Sequence, residues 1–266
     1  MSASPGLGLV INTSNQPEYL ARILTAVSRQ TSSPEEVLLA EDGTDDATRK
    51  VFERWAASQS SRTAHLSQFN EGFRRARILN QAIARARADY LVFLDGDTLP
   101  HPRFVADHRA LQRMEGFIQG HRALVKQNAA GYFGLGKFSG DRQRAFWTRQ
   151  LSGWKHAYRW PWPLAKARAD LVGIRGCNLA IWRADLVRVN GYNEDFVGWG
   201  REDSELAVRL MNAGVRRFDV RGWALCYHLW HPPANRSGLP ANDELLAQAQ
   251  RSGATRCERG LNQYIS

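Results

Sequence analysis

A chain of 266 residues, 43% of them apolar, can bury a substantial core as one large α/β domain or two small ones. No apolar run approaches the roughly 18 residues needed to span a bilayer, and the opening MSASPGLGLVINT lacks the charged start and cleavage site of a secretory signal. Cys177, Cys226 and Cys257 are too few and too scattered for a disulfide framework or a zinc knuckle, so a reducing, cytoplasmic setting is the default expectation. The net charge of +10 rests mainly on arginine and is unevenly spread. Between Asp141 and Arg168 seven Lys/Arg residues accompany one acid, interleaved with Trp147, Trp154, Trp160 and Trp162. Such a stretch suits an anionic membrane surface, a phosphorylated glycan or a nucleic acid, or else a solvated basic face over packed tryptophans.

The first hundred residues alternate strand and helix signals. Gly8 to Thr13 is a short β-branched run, and Pro17 to Gln30 carries Leu20, Ile23, Leu24 and Val27 at helical spacing. A buried-type strand over Glu36 to Ala40 ends at Glu41-Asp42-Gly43. A helix over Asp46 to Ala57 and a strand near Ala64 to Gln68 follow. Phe73 to Ala88 reads as a helix with Ile78, Leu79 and Ile83 on one face, and Tyr90 to Leu94 is a fourth strand running into Asp95-Gly96-Asp97. This alternation predicts a mostly parallel sheet with helices on both faces, and ligands bind such sheets beyond the carboxyl ends of the strands. Thr13, Asn15, Asp42, Asp95 and Asp97 all fall at those ends.

Beyond residue 100 the pattern loosens. Phe117 to Val125 reads as one strand, and Lys126 to Asp170 as loop or short helix. Apolar segments return at Leu171 to Ile174 and Leu179 to Trp182. A helix spans Glu202 to Ala213 with Gly214 as its stop, and a last strand covers Ala224 to Tyr227. Residues 1–125, 126–233 and 234–266 are thus expected to be a nucleotide-binding half, an acceptor-binding and catalytic half of the same domain, and a tail with one helix.

Three constellations point to chemistry. Two carboxylates separated by a glycine at the end of a buried strand, Asp95 and Asp97, can hold a hard divalent cation against a diphosphate, although acidic turns are common after strands. His228 and His231 lie three apart between a strand and Pro232-Pro233, and either could complete a site begun by Asp97 or be merely hydrogen-bonded in a packed loop. Gly198-Trp199-Gly200-Arg201-Glu202-Asp203 opens a helix. The helix dipole alone could place acids there, but Trp199 offers a flat face to a sugar ring, Gly200 allows close backbone approach, and an acid at that point can take a proton from an incoming hydroxyl.

The ordered set of Thr13, Asp42-Gly43, Asn70-Glu71-Gly72 with Arg77 and Asn80, Asp95-Gly96-Asp97, Asn190-Gly191-Tyr192-Asn193-Glu194 and Gly198 to Asp203 resembles family 2 glycosyltransferases of the GT-A fold. The second half is similar to the carboxyl-terminal segment of animal β-1,4-galactosyltransferases and bacterial chondroitin-type polymerases, and the resemblance covers about residues 7–233. It implies that Asp42 contacts the base or ribose with Thr13, Asn15 and Arg77 nearby, that Asp95 meets the ribose or metal side, and that Asp97 coordinates Mn2+ or Mg2+. Asp203 would be the catalytic base, with Glu202 on acceptor or donor hydroxyls and Trp199, Gly200 and Asn178 binding substrate. The galactosyltransferases place a methionine and a histidine where this chain has His228 and His231, and Ala40-Glu41-Asp42 departs from the usual valine and two acids.

The activity so implied is inverting transfer of a sugar from a nucleotide-sugar, UDP favoured, to a glycan or lipid-linked acceptor in lipopolysaccharide or other surface polysaccharide synthesis. Contact with the inner membrane face through the basic stretch would fit it. A sugar-1-phosphate nucleotidyltransferase should carry a Gly- and Arg-rich phosphate loop after the first strand, and Asn12-Thr13-Ser14-Asn15 is not one. A nucleic-acid-binding module has only the charge in its favour, so no nucleic-acid partner is expected.

Overall fold

The computed structural model describes residues 5–112 and 114–265. The chain opens with β1 (Leu7–Thr13), α1 (Pro17–Ser28), β2 (Glu36–Asp42), α2 (Asp46–Ala56), β3 (Arg62–Gln68), α3 (Arg75–Arg85) and β4 (Tyr90–Asp95). β5 (Thr98–Pro100), α4 (Phe104–Leu111), β6 (Phe117–Gln119), β7 (Arg122–Val125), α5 (Gln127–Ala130), α6 (Phe138–Trp147), β8 (Leu151–Ser152) and β9 (Leu164–Arg168) follow. The chain ends with β10 (Leu179–Trp182), α7 (Arg183–Arg188), α8 (Glu202–Asn212), β11 (Arg217–Arg221), β12 (Cys226–His228) and α9 (Leu239–Ser252).

Eight strands form the main sheet in the order β3-β2-β1-β4-β10-β6-β11-β9. The first four are parallel, as their apolar runs predict. Successive side chains point to opposite faces, which splits the core in two. Leu7, Leu9 and Ile11 pack with Leu20, Ile23 and Leu24 of α1 on one face. Val10, Leu38 and Phe93 pack with Ile78, Leu79 and Ile83 of α3 and Leu206 and Leu210 of α8 on the other. Parallel pairing sets Asn12 opposite Asp95 and Thr13 opposite Glu41, so the ends of β1, β2 and β4 form one rim.

The strand expected over Phe117 to Val125 is two strands. β6 joins the main sheet between β10 and β11, then the chain turns at Gly120, whose N–H donates to the Asn178 carbonyl at 2.9 Å. β7 then enters a second sheet ordered β5-β12-β7-β8. The last strand is displaced from Ala224–Tyr227 to Cys226–His228, so His228 lies on it rather than after it. Its antiparallel pairing with β5 puts His228 opposite Thr98, next to Asp97, and the Leu229 N–H donates to the Asp97 carbonyl at 2.9 Å. Residues 126–170, expected as loop or short helix, hold the short helices α5 and α6 but also the strands β8 and β9, and Leu171 to Ile174 is a turn.

Asn80 ties the two halves together from the buried face of α3. Its amide N donates to the Tyr192 carbonyl at 2.8 Å and to Glu194 Oε1 at 2.9 Å, and its Oδ1 accepts from the Tyr192 N–H at 2.8 Å. Asn80→Ala leaves three buried polar groups without partners, so urea unfolding should show a loss of about 2 to 4 kcal/mol. A loss below about 1 kcal/mol would show that this junction relaxes without cost.

Candidate functional site

A cavity of about 750 Å³ opens at the rim formed by β1, β2 and β4. Asp97, just past β4, and His228, at the end of β12, share its wall with His231. Asp97 Oδ2 stands 3.1 Å from His231 Nε2 and 3.6 Å from His228 Nε2, and the two imidazole nitrogens are 3.3 Å apart. Thr98 Oγ1 donates to Asp97 Oδ1 at 2.9 Å and leaves Oδ2 facing the histidines. Burial, against the pull of Asp97, holds His228 down at about 4, so its imidazole is neutral and able to ligate. At these spacings one first-row cation can touch both nitrogens and the carboxylate oxygen at about 2.0–2.2 Å. The donor set therefore fits a divalent ion, and both histidines belong to it.

A second cluster is built around Arg75. Its guanidinium is 6% exposed, with Nη1 donating to Glu202 Oε1 at 2.9 Å and to Asp203 Oδ1 at 2.8 Å. Nη2 donates to Asp95 Oδ1 at 3.1 Å and Nε to Asn12 Oδ1 at 3.0 Å. The other Asp203 oxygen accepts from the Gly176 N–H at 2.8 Å. A side chain at 176 would put its Cβ 2.3 Å from Arg75 Nη2 and 2.5 Å from Asp203 Oδ1, so only glycine fits there. Gly96 is constrained in the same way, since a Cβ would stand 2.8 Å from Thr13 Oγ1. Burial and the charge of Asp203 raise Glu202 to about 7 despite Arg75, and its Oε2 is buried without a partner among the described residues. Burial likewise lifts Asp95 to about 6. Glu205, the third acid of the first turn of α8, faces away and forms a buried pair with Arg209 at 2.7 Å.

At the strand ends Asp42 is 1% exposed, with one oxygen accepting from Gln68 Nε2 and the other from the Arg74 N–H, each at 2.8 Å. Thr13 Oγ1 is buried without a partner among the described residues, on the same wall. Across the cavity Trp199 is partly exposed, and the Arg236 guanidinium lies 4.6 Å from its ring centre. Gly200 and Arg201 turn with φ of 102° and 80° into the start of α8. The tail, in which no chemistry was legible, supplies part of this wall. Arg236 and Leu239 line it, while Asn242 holds the turn by donating to the carbonyls of Val197 at 3.2 Å and Gly200 at 2.9 Å.

Of the residues singled out from sequence, Thr13, Asp42, Asp95, Asp97, Trp199, Gly200, Glu202, Asp203, His228 and His231 meet in this cavity. Three do not. Arg77 projects from the solvent side of α3 toward Glu71 at 3.9 Å, because position 77 lies opposite the stripe of Ile78, Leu79 and Ile83. Position 75 shares that stripe, one turn before Ile78 and Leu79, and the helical spacing could have shown it. Asn15 is turned away with φ 47°, its side chain over Gly43. Asn178 is fully buried behind the wall, its Nδ2 donating to the His121 and Ala224 carbonyls at 3.0 and 2.7 Å.

The basic aromatic stretch divides. Arg159 is consumed by a bidentate pair with buried Asp107, as close as 2.8 Å, and Trp160 packs over Gly222. Trp147 and Trp162 are 80% and 81% exposed. The Trp154 side chain lies outside the described residues. Among those residues no helix is long and apolar enough to cross a membrane.

The parallel half-sheet with a metal-type donor set at its rim is a GT-A fold, and solved structures share it. A mannosyltransferase from Pyrobaculum calidifontis, in complex with GDP-Man and Mn2+, matches with a TM-score of 0.58 at 16% identity over 95% of this chain and 74% of its own. TarS 1-349 from S. aureus, in complex with UDP, matches with 0.64 at 13% identity over 97% and 68%. The chain belongs to glycosyl transferase family 2, whose model matches residues 9–160, and a model described as the N-terminal domain of galactosyltransferase matches residues 163–232. Validoxylamine A glucosyltransferase of Streptomyces hygroscopicus subsp. limoneus is 30% identical over 79% of this chain and 49% of its own length. Chondroitin synthase of Escherichia coli is 23% identical over 87% and 36%. The chain thus spans half or less of these two relatives.

The titration of Glu202 has a measurable consequence. Folded Glu202 keeps its proton up to about 7, while its ordinary value is 4.5. The folded state then binds more protons between those values, so stability falls as pH rises through that window, and Asp95 adds a slope of the same sign. Without metal or nucleotide, the melting temperature should fall from pH 5 to 7.5, and Glu202→Gln should flatten the fall, removing at most about 1.4 kcal/mol per pH unit. Parallel profiles for variant and wild type would show that Glu202 is not the titrating group.

Proposed function

We propose that this chain is a metal-dependent, inverting hexosyltransferase that moves a sugar from a nucleoside-diphosphate sugar to a hydroxyl of a glycan or lipid-linked acceptor. The observation that supports it most directly is the meeting of the Asp97, His228, His231 donor set and the Asp203 carboxylate in one cavity, bridged by Arg75 and Asp95. UDP is the favoured nucleotide, with dTDP or GDP the alternatives; structural relatives hold UDP and GDP-Man. Chondroitin synthase among the relatives favours a role in lipopolysaccharide or other surface polysaccharide synthesis. Residues 1–125 supply the nucleotide side, residues 126–233 the acceptor side and the histidines, and the tail closes over α8.

In this mechanism Thr13 and Asp42 seat the nucleoside, and Trp199 and Gly200 flank the sugars. Asp97, His228 and His231 would hold Mn2+ or Mg2+, which would supply neutralising charge for a departing diphosphate. Asp203 accepts the proton of the acceptor hydroxyl as its oxygen bonds to the anomeric carbon. The bond from that carbon to the diphosphate oxygen breaks on the opposite face, which inverts the centre. Arg75 and the Gly176 N–H fix the carboxylate for this step, and Glu202 hydrogen-bonds a substrate hydroxyl.

Asp203→Asn keeps the shape but cannot take the proton. Turnover should fall by about 10²- to 10⁴-fold with nucleotide affinity nearly unchanged. A first-turn acid serving only the helix dipole would instead cost about 1 kcal/mol of stability or less and leave turnover alone. Near-normal turnover of this variant would remove Asp203 as the base. Asp97→Ala, His228→Ala and His231→Ala should each weaken manganese binding and reduce turnover. Wild-type activity undiminished in excess chelator would exclude the metal from the reaction.

The exposed Trp147 and Trp162, set among Arg142, Arg144, Arg149 and Lys166, suit peripheral contact with an anionic bilayer. Vesicles containing anionic lipid should retain the protein at low salt and release it at high salt. Equal retention on neutral vesicles, or none on either, would refute this contact.

A further inference from the structure

Five arginines line the cavity, and Arg122 differs from the other four. Arg75 is saturated by three carboxylates, Arg201 pairs with Asp243 at 2.5 Å, Arg236 lies over the Trp199 ring, and Arg175 is exposed to solvent. Arg122 is half-buried at the start of β7 and forms no ion pair with a carboxylate among the described residues. Its one hydrogen-bonding contact there is Nη1 to Cys177 Sγ at 3.4 Å. A thiol is a weak acceptor, so most of the guanidinium fork is unused. Leaving a charge inside a protein without a counter-ion is costly, and such groups are ordinarily paired.

The position of Arg122 indicates what pairs with it. On the parallel β7–β12 ladder it stands opposite Cys226, two residues before His228, and side chains two apart on a strand share a face. It lines the cavity together with Asp97, His228 and His231, and its place on the strand beside β12 puts it on the metal side rather than beside Trp199. Arginine is suited to this place, since its planar fork matches phosphate oxygens two at a time and stays charged at any working pH.

We infer that Arg122 is a further substrate-binding residue, whose guanidinium receives the diphosphate of the donor beside the metal-type donor set and holds it as it departs. This rests on the glycosyl-transfer reading. When the bond from the anomeric carbon to the terminal phosphate oxygen breaks, its electron pair stays on that oxygen. The diphosphate gains one negative charge while the acceptor proton passes to Asp203. A fixed guanidinium beside that oxygen therefore binds more strongly as the reaction proceeds, which accelerates the step as well as seating the donor.

The test compares nucleoside di- and monophosphates on the whole chain with Mn2+ present. By calorimetry, Arg122→Gln should weaken UDP binding at least tenfold and UMP binding less than threefold. Turnover at saturating donor should fall by about 10²-fold, the size of loss seen when one preorganised donor is removed. Arg122→Lys, which keeps the charge but not the fork, should recover part of both losses. Arg122→Met retains the packing of the stem and takes the place of the glutamine variant if that one fails to fold. A folded variant that binds UDP and turns over like wild type would overturn the inference, as would equal losses for UMP and UDP. Wild-type protein that binds none of UDP, dTDP and GDP with Mn2+ would sink the glycosyl-transfer reading itself, an outcome read before any variant is made.

Discussion

The buried guanidinium of Arg75 is the interaction on which the rest of this site depends. It is shared by Asp95 at the end of β4 and by Glu202 and Asp203 at the start of α8, with Asn12 of β1 completing its bonds. Three carboxylates around one cation are not neutral, and burial, with the neighbouring acids adding to it, raises Glu202 and Asp95. Lysine could not make four bonds in these directions, whereas the rigid fork of arginine can. Removing it would leave buried acids uncompensated, a change that costs about 3 to 5 kcal/mol in comparable buried pairs. One side chain thus sets the distance between the metal-side acids and the acid of α8, which come from opposite halves of the sequence.

Both signs of charge meet in the cavity, and their placement matters more than their sum. The chain as a whole is strongly basic, so anionic ligands are drawn toward it over long range. Close in, Asp95, Asp97, Glu202 and Asp203 face the same space as Arg75, Arg122, Arg175, Arg201 and Arg236, so the cavity carries both signs of charge. A cation held by Asp97, His228 and His231 would add positive charge on one side, away from the Asp203 carboxylate. The two clusters stand on separate elements, the donor set beside β4 and β12 and Asp203 on α8, and one cavity holds both.

The parallel half of the fold was legible because its strands are continuous apolar runs ending in acids, and its helices carry clear 3.6-residue stripes. The meeting of Asp95, Asp97 and Asp203 followed from strand ends and a family resemblance. The resemblance implies Arg77 near the nucleotide, whereas the stripe on α3 points Arg75 inward and leaves Arg77 on the solvent side. Arg122 left no signal. It is one basic residue at the start of a four-residue strand, and its exposure to the cavity depends on β7 leaving the main sheet at Gly120, a turn that periodicity does not mark. The pairing of β12 with β5, which turns two histidines of ambiguous role into neighbours of Asp97, is a long-range contact of the same kind.

The turn before α8 shows how the tail enters function without bearing a motif. Gly198, Gly200 and Arg201 all have positive φ, and for Arg201 that conformation is intrinsically unfavourable. α8 also lacks a side-chain cap at its start, so local sequence does little to hold the geometry that aims Glu202 and Asp203 at Arg75. The holding comes from α9. Asn242 takes the carbonyls of Val197 and Gly200, Asp243 takes the Arg201 guanidinium, and Arg236 covers Trp199. Side chains some forty residues away thus brace a turn kept in an unfavourable conformation. The residues after the last recognisable motif therefore line the cavity and support the turn that leads to Asp203.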